Sequence, residues 1–176
     1  MPKFIIPKKS SRVNLDFFKR HADAVAKDLL GRVFVSEGRK NIYLRLEEVA
    51  AFEGEAESEL RQSMFSRYPG IFAYPGTLAI STKFGQNLIH ISTLDINKPS
   101  CINLIAGTIF DKKGYKEYIN GPGNLTYALK IDKSYNGVHL NFHKIWIGGQ
   151  SIEESQVIKR NKSGVPKNCK GYFYFK

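Results

Sequence analysis

Residues 42–52 have residue types and a spacing that point to chemistry. Alternate side chains of a β-strand face the same side, so one face here would carry Ile42, Leu44, Leu46, Glu48, Ala50 and Phe52. An apolar face would then change into a carboxylate, a small residue and an aromatic ring at the strand's end. That change indicates the edge of a pocket, although spacing alone favours a core strand that reaches solvent near Glu48.

Residues 81–87 have the pattern of a β-hairpin connection. Gly85 suits the positive φ of a tight turn and places Phe84 near an exposed tip, beside Lys83. An apolar wedge next to a cation is what minor-groove proteins insert between bases. The alternative, a ring folded back onto its own hairpin, is the more common arrangement when sequence alone is considered.

Residues 122–134 contain groups that bind phosphate in other proteins. Asn124, Lys130 and Lys133 fall at a loop and a helix end, where N–H and ammonium groups could meet a nucleic-acid backbone. Taken alone, this pattern is a weak indication of phosphate binding.

His139 and His143 are four residues apart and could share a strand face. Such a pair could hold a metal ion, but no third ligand is evident nearby, so two ordinary, partly buried histidines are favoured. We therefore predict no metal site and no organic cofactor.

The elements that must position these residues form an α+β pattern. Asn14 as N-cap, apolar residues at helical spacing and Gly31 as terminator predict a helix over residues 14–30. A second helix is predicted from Leu125 to near Asp132, after the breaker at residues 121–123. Short alternating runs between and after the helices predict a mostly antiparallel sheet, in one domain spanning residues 1–176.

The positive charge of the chain lies at its two ends. The 176 residues carry a net charge of +11, yet residues 21–155 are balanced between acids and bases. Residues 1–20 hold six basic residues against one acidic residue, and residues 156–176 hold six basic residues and no acid. If the fold brings the ends onto one face, they form a surface that attracts phosphate. Otherwise they are solvated tails.

Apolar runs and cysteines exclude several classes of protein. No run has the length of a membrane span, and residues 1–20 lack the apolar core of a secretory signal. Cys101 and Cys169 have no spacing typical of a zinc site, and free thiols in a reducing compartment are favoured. We expect a cytoplasmic protein at the nucleoid in a bacterium or archaeon, and a nuclear one in a eukaryote.

Five segments, taken in order, resemble the alkyladenine (3-methyladenine) DNA glycosylase family. They are residues 16–32, 47–54 (EEVAAFEG), 72–78 (FAYPGTL), 84–85 and 121–134 (GPGNLTYALKIDKS). The resemblance covers nearly the whole chain and implies a curved, mostly antiparallel sheet flanked by helices. It also implies base excision repair on double-stranded DNA, in which a damaged purine nucleotide is flipped out of the duplex and its N-glycosidic bond is cut.

The same resemblance places departures at the chemical centre. Registering on Gly54 puts Ala50 where the family has its catalytic glutamate, and Phe52 where it has a stacking tyrosine. The resemblance further assigns four positions to the base pocket, each occupied by a different residue type from the family's: Ser81, His90, Ile105 and Arg61. Phe84 keeps the intercalating aromatic, with Lys83, Gly85, Asn124 and Lys133 as DNA contacts.

Three interpretations of Ala50 remain open. The first is a protein that binds DNA, damaged DNA included, without cutting it. The second is an active purine-lesion N-glycosylase in which Glu48 or Glu53 activates water. The third is an engineered variant with alanine in place of glutamate, which leaves Ile105 and Ser81 unexplained. A rival from another class is a basic RNA-binding protein. For the first interpretation we expect a monomer on duplex DNA and no membrane partner.

Overall fold

The structure is a computed structural model, and it describes residues 4–53, 74–96, 98–142, 144–163 and 169–176. Within these ranges the chain is a single α+β domain built on one antiparallel sheet, which confirms the predicted fold class. The strands are β1 Val33–Ser36, β2 Ile42–Glu53, β3 Leu78–Lys83, β4 Gln86–Ser92, β5 Ser100–Phe110, β6 Lys116–Asn120, β7 Ile145–Gly148, β8 Ile158–Arg160 and β9 Cys169–Tyr174. The helices are α1 Ala22–Leu29 and α2 Pro122–Ala128, with 3₁₀ turns at Lys9–Ser11, Leu15–Phe18, Lys133–Tyr135 and Glu154–Gln156.

The long strands β2 and β5 form the centre of the sheet. They pair from Tyr43 opposite Phe110 to Glu53 opposite Ser100. The main order is β3-β4-β5-β2-β1-β7, and both central strands have more than one partner on their outer edge. The first part of β2 pairs with β1 and the second part with β9, whereas β5 pairs with β4 and then with β6. This branching curls the sheet into a half-barrel, as expected from twisted strands that change partners.

The first predicted helix is interrupted. Asn14 does act as an N-cap, since its side chain accepts from the Phe17 N–H, but it caps the 3₁₀ turn rather than a long helix. The carbonyl oxygens of Phe18 and Arg20 both accept from the Leu94 N–H. These two carbonyl groups therefore bond to the loop between β4 and β5 instead of to N–H groups of a continuing helix. For this reason the 3₁₀ turn ends at Phe18, and α1 begins only at Ala22.

The second helix begins earlier and ends earlier than predicted. Pro122 occupies its first turn, where a missing N–H costs nothing. The helix ends at Ala128 because Lys130 adopts a φ of 56°, and the Asp132 side chain then caps the following 3₁₀ turn. Neither helix of the described ranges has the length and apolar character needed to cross a membrane.

The main core lies on one face of the sheet. The buried side of α1, formed by Ala22, Val25, Ala26 and Leu29, packs with Leu125 and Leu129 against the strands. From the sheet, the same core receives Leu44, Leu46, Val49, Ala51, Leu104 and Phe173. A smaller cluster, which contains Ala50, lies apart from this core and marks the candidate site.

Candidate active site around Ala50

A β-bulge in β2 decides which side chains reach the candidate site. Leu46 pairs with Gly107 and Glu48 with Ala106, so Glu47 is an extra residue on this strand. An extra residue reverses the alternation of faces beyond it. Leu44, Leu46, Val49 and Ala51 therefore share the main core, whereas Ala50 and Phe52 belong to the separate cluster. The prediction of one uninterrupted face from Ile42 to Phe52 is wrong for this reason.

Ala50 lies in a continuous row of side chains across five strands. Its register partners are Asn103 on β5 and Tyr172 on β9. Asn103 pairs onward with His90 on β4, and Tyr172 pairs onward with Arg160 on β8. Directly paired residues of an antiparallel sheet point to the same face. The row His90–Asn103–Ala50–Tyr172–Arg160 is called the site row below.

The surroundings of Ala50 are apolar. Ala50 is 0% exposed and clusters with Ile105 and Ala106, against which Phe52 and Tyr172 pack. The structure thus brings together Ala50, Phe52 and Ile105, three positions that the sequence assigned to one pocket. Ile105 is the residue skipped between the pairs of Ala106 and Leu104, which turns it toward Ala50. Methyl and alkyl groups cannot accept a proton, so these side chains supply only apolar surface to the site.

Glu48 adjoins the site row but is engaged in an ion pair. Its carboxylate accepts a hydrogen bond from Arg160 and lies 3.8 Å from the ammonium of Lys162. The residue is 9% exposed, so the paired cations compensate for removing its charge from water. Both contacts fall on the Glu48 Oε1, so the carboxylate is anchored at the edge of the site row.

Glu53 has a structural task at the start of α1. Its Oε1 accepts from the Ala22 N–H at 2.6 Å, and the His21 Nδ1 lies 3.1 Å from the same oxygen. A carboxylate at a helix N-terminus satisfies a free backbone donor and interacts favourably with the helix dipole. Glu53 therefore joins the end of β2 to the helix that covers the core.

We expect Glu53→Ala to lower the free energy of unfolding by about 0.5–2 kcal/mol, the usual cost of losing an N-terminal cap. Urea denaturation measures this loss. Glu154→Ala is the matched control, because Glu154 makes only an exposed ion pair with Lys27 at 3.6 Å and should change stability by less than about 0.5 kcal/mol. Equal losses in the two variants would contradict the capping role.

Ser81 and His90 form a buried polar pair beside the row. The Ser81 Oγ lies 2.7 Å from the His90 Nε2 across the β3–β4 ladder. Burial lowers the pKa of His90 to about 4, so its imidazole is neutral at physiological pH. A neutral imidazole beside Asn103 places polar atoms in the site row without adding a charge.

Asn103 is a site residue that sequence reasoning missed. It stands between His90 and Ala50 in the site row, and its Oδ1 is buried with no hydrogen-bond partner among the described residues. An unsatisfied buried acceptor costs about 1–3 kcal/mol, and such atoms cluster where function requires them. A polar residue within the apolar run of residues 101–106 was the available signal.

The predicted hairpin is confirmed, with its aromatic ring exposed. Phe84 and Gly85 have φ values of 50° and 75°, which is the pattern of a two-residue type I′ turn. The Phe84 side chain is 94% exposed, and the Lys83 ammonium lies 5.5 Å from its ring centroid. The alternative of a ring folded back onto the hairpin is wrong. The turn therefore presents an aromatic ring and an ammonium group to solvent at the tip of the hairpin.

A groove of about 800 Å³ runs between this hairpin and α2. Gly85, Gln86 and Asn87 form one wall, and the segment from Gly123 to Asp132 forms the other. Asn124 lines the groove while donating to the Asn120 carbonyl, and Lys133 follows in the adjacent 3₁₀ turn. The predicted DNA contacts Lys83, Gly85, Asn124 and Lys133 therefore lie on one side of the molecule, around Phe84.

Other predicted residues lie apart or outside the described ranges. Arg61 and His143 fall outside them. The His139 Nδ1 is 2.9 Å from the Thr77 Oγ1 in the loop beside β3, which is an ordinary structural contact. Among the residues that the structure describes, no three histidine, cysteine or acidic side chains cluster as metal ligands.

Cys101 and Cys169 are both free and flank Phe52. They are its register partners on β5 and β9, so they lie on opposite sides of β2. Two strand spacings, about 10 Å, separate them, which is too far for a disulfide. Burial raises the pKa of the Cys101 thiol to about 12, so this cysteine stays uncharged beneath the aromatic ring.

Comparisons with known proteins agree with this geometry. A family model described as methylpurine-DNA glycosylase matches residues 16–175. Three relatives named "Putative 3-methyladenine DNA glycosylase" are similar over most of their length. The protein of Desulfitobacterium hafniense is 27% identical over 88% of this chain and 87% of its own. That of Prosthecochloris aestuarii is 28% identical over 89% of this chain and 83% of its own. That of Clostridium novyi is 26% identical over 94% of this chain and 95% of its own. The chain belongs to the methylpurine-DNA glycosylase family.

Proposed function

We propose that this protein recognises purine lesions in double-stranded DNA by extruding the damaged nucleotide, and that it holds the lesion with little or no hydrolysis. The family and the names of the relatives support a role in DNA repair. The observation that carries the proposal is the contrast between an exposed wedge at Phe84 and an apolar centre at Ala50.

The wedge has the support that intercalation requires. Its hairpin is held against α2, since a Cβ on Gly123 would lie 2.3 Å from the Gln86 Oε1. The Asn136 side chain also accepts from the Ile80 N–H on β3. A braced turn can push an aromatic ring into a base stack without itself deforming, and stacking on the neighbouring bases offsets part of the cost of opening the duplex.

The apolar centre suits a flipped base. Phe52 and Tyr172 pack against the cluster that contains Ala50 and offer aromatic surfaces there, and Asn103 and His90 supply polar atoms along the site row. Stacking between aromatic side chains and hydrogen bonds to the base edge are the means by which extruded bases are read. The pocket thus provides recognition without a base catalyst.

Among the residues that the structure describes, the two carboxylates considered as substitute bases both have other partners. Glu48 pairs with Arg160, and Glu53 caps α1. Loss of a general base lowers rates by about 10² to 10⁴. Single-turnover assays on duplexes with hypoxanthine or 3-methyladenine should therefore show little cleavage. Rapid cleavage that Glu48→Gln abolishes would instead establish the active-enzyme alternative.

Phe84→Ala should weaken binding to a hypoxanthine-containing duplex by about 10- to 100-fold, since buried aromatic anchors dominate such interfaces. Fluorescence anisotropy of labelled duplexes measures the change. Phe142→Ala is the matched control because Phe142 is also a largely exposed phenylalanine, in the loop before β7. Its removal should leave the affinity unchanged.

The same titration should be repeated with single-stranded DNA and structured RNA at several salt concentrations, because phosphate binding by a basic protein weakens with salt for every nucleic acid. Preference for RNA, or equal affinities of the Phe84→Ala and parent proteins for the lesion duplex, would overturn the proposal in favour of a basic RNA-binding protein.

A further inference from the structure

We propose that Arg160 and Lys162 bind the backbone phosphate of the extruded nucleotide, and that Glu48 positions Arg160 for this contact. The inference rests on the proposed function, because it assigns a ligand to the rim of the same site. Nucleotide extrusion brings a phosphodiester as well as a base to the protein, and the cations of β8 lie at the end of the site row.

The register places Arg160 at a suitable distance from the base position. Ala50 pairs with Tyr172, and Tyr172 pairs with Arg160. Arg160 is therefore two strand spacings from Ala50, or about 10 Å. That separation is comparable to the reach of a purine nucleotide from the far edge of its base to its phosphate. A base beside Ala50 and a phosphate beside Arg160 can thus belong to one nucleotide.

Glu48 restricts the guanidinium to this place. It accepts a hydrogen bond from the Arg160 Nη2, and its side chain is 12% exposed while that of Arg160 is 43% exposed. The buried partner holds one edge of the guanidinium, and the solvent-accessible part remains for a ligand. Arginine carries five N–H donors in a fixed plane, so one bond to a carboxylate leaves donors for a phosphate oxygen.

Aromatic rings restrict both cations further. The Arg160 Cζ lies 4.9 Å from the Tyr174 ring centroid, and the Lys162 Nζ lies 4.2 Å from the Tyr172 ring centroid. Because the rings already limit the rotamers of these cations, the two side chains lose less conformational entropy when they bind a ligand.

The local charge also favours an anion. Two cations, Arg160 and Lys162, lie beside the carboxylate of Glu48, which leaves an excess of positive charge at this end of the site row. A phosphodiester would neutralise this positive charge and accept charge-assisted hydrogen bonds from the two cations. Glu48 then acts as a positioning residue rather than as a replacement base.

Anisotropy titrations of Arg160→Gln with a hypoxanthine duplex and the matching undamaged duplex test the inference. We expect about a 10-fold loss of affinity for the lesion duplex and a smaller loss for the undamaged one. The slope of log K against log salt should fall by about one for the lesion duplex. Arg160→Lys should keep the slope while lowering affinity, because it retains the charge and loses the planar contact. Glu48→Gln should weaken binding, and its effect should not add to that of Arg160→Gln.

Arg39→Gln is the control, since Arg39 is exposed in the loop between β1 and β2 and so lies at the opposite end of β2 from Ala50. It should preserve both the affinity and the lesion preference. An unchanged salt slope in Arg160→Gln, or equal losses on both duplexes, overturns the inference alone. A parent protein that shows no lesion preference overturns the proposed function and this inference with it.

Discussion

Ala50→Glu should raise the single-turnover excision of hypoxanthine by about 10²- to 10⁴-fold over the parent protein, the typical contribution of a general base. The introduced carboxylate would stand between Asn103 and Tyr172 in the site row, at the position where the sequence resemblance places the family's catalytic glutamate. As the base departs, the sugar becomes oxocarbenium-like and an attacking water must lose a proton. A carboxylate at this point serves both needs, which a methyl group cannot.

The comparison should use Ala50→Gln as the control, because glutamine has the size of glutamate but does not accept a proton at neutral pH. We expect no gain in rate from the amide. If folded Ala50→Glu cuts no faster than Ala50→Gln, the missing carboxylate is not what limits hydrolysis. Ile105, which packs in the same cluster, would then be the next residue to change.

Gly107→Ala should lower the free energy of unfolding by about 3 kcal/mol, the upper end of the range for overpacking a core. Gly107 lies on β5 opposite Leu46. A Cβ at this position would stand 2.3 Å from the Arg45 carbonyl oxygen and 3.0 Å from the Leu44 Cδ1. Backbone of the central strand pair would have to move to relieve the overlap, and hydrogen bonds of β2 with β5 would lengthen. Urea denaturation gives the size of the loss.

Gly38→Ala provides the control for that experiment. Its Cβ would meet only the Lys40 carbonyl oxygen at 3.7 Å, which is ordinary contact. The loop between β1 and β2 should accept the methyl group with a change of less than about 0.5 kcal/mol. Similar losses of stability in both variants would show that the close approach of β2 to Gly107 is not the reason why this position needs glycine.

Local signals predicted those parts of the protein that depend on local chemistry. The turn at Phe84 and Gly85 follows from glycine and from the alternation of β3 and β4. Asn14 was recognised as a cap because its side chain bonds a donor three residues away. Ordered motifs placed Ala50, Phe52 and Ile105 in one pocket, and the structure brings these three together.

Features that depend on distant partners could not be predicted in this way. The 3₁₀ turn and α1 are separate because the N–H of Leu94, which is distant in sequence, donates to the carbonyl groups of Phe18 and Arg20 between them. The role of Arg160 depends on β9 pairing with both β2 and β8, and nothing in the spacing of residues 156–176 specifies that register. Charge counting located the basic residues but not their partner Glu48.

The bulge at Glu47 determines which side chains of β2 face the site. If β2 kept its length but alternated regularly beyond Leu46, Ala50 and Phe52 would turn into the core, and Val49 and Ala51 would face the site. Deleting Glu47 would instead remove the extra residue and leave both faces as they are. All four side chains are apolar, so the composition of the strand does not distinguish the two arrangements. The position of one extra residue therefore sets the lining of the site as directly as the residue types do.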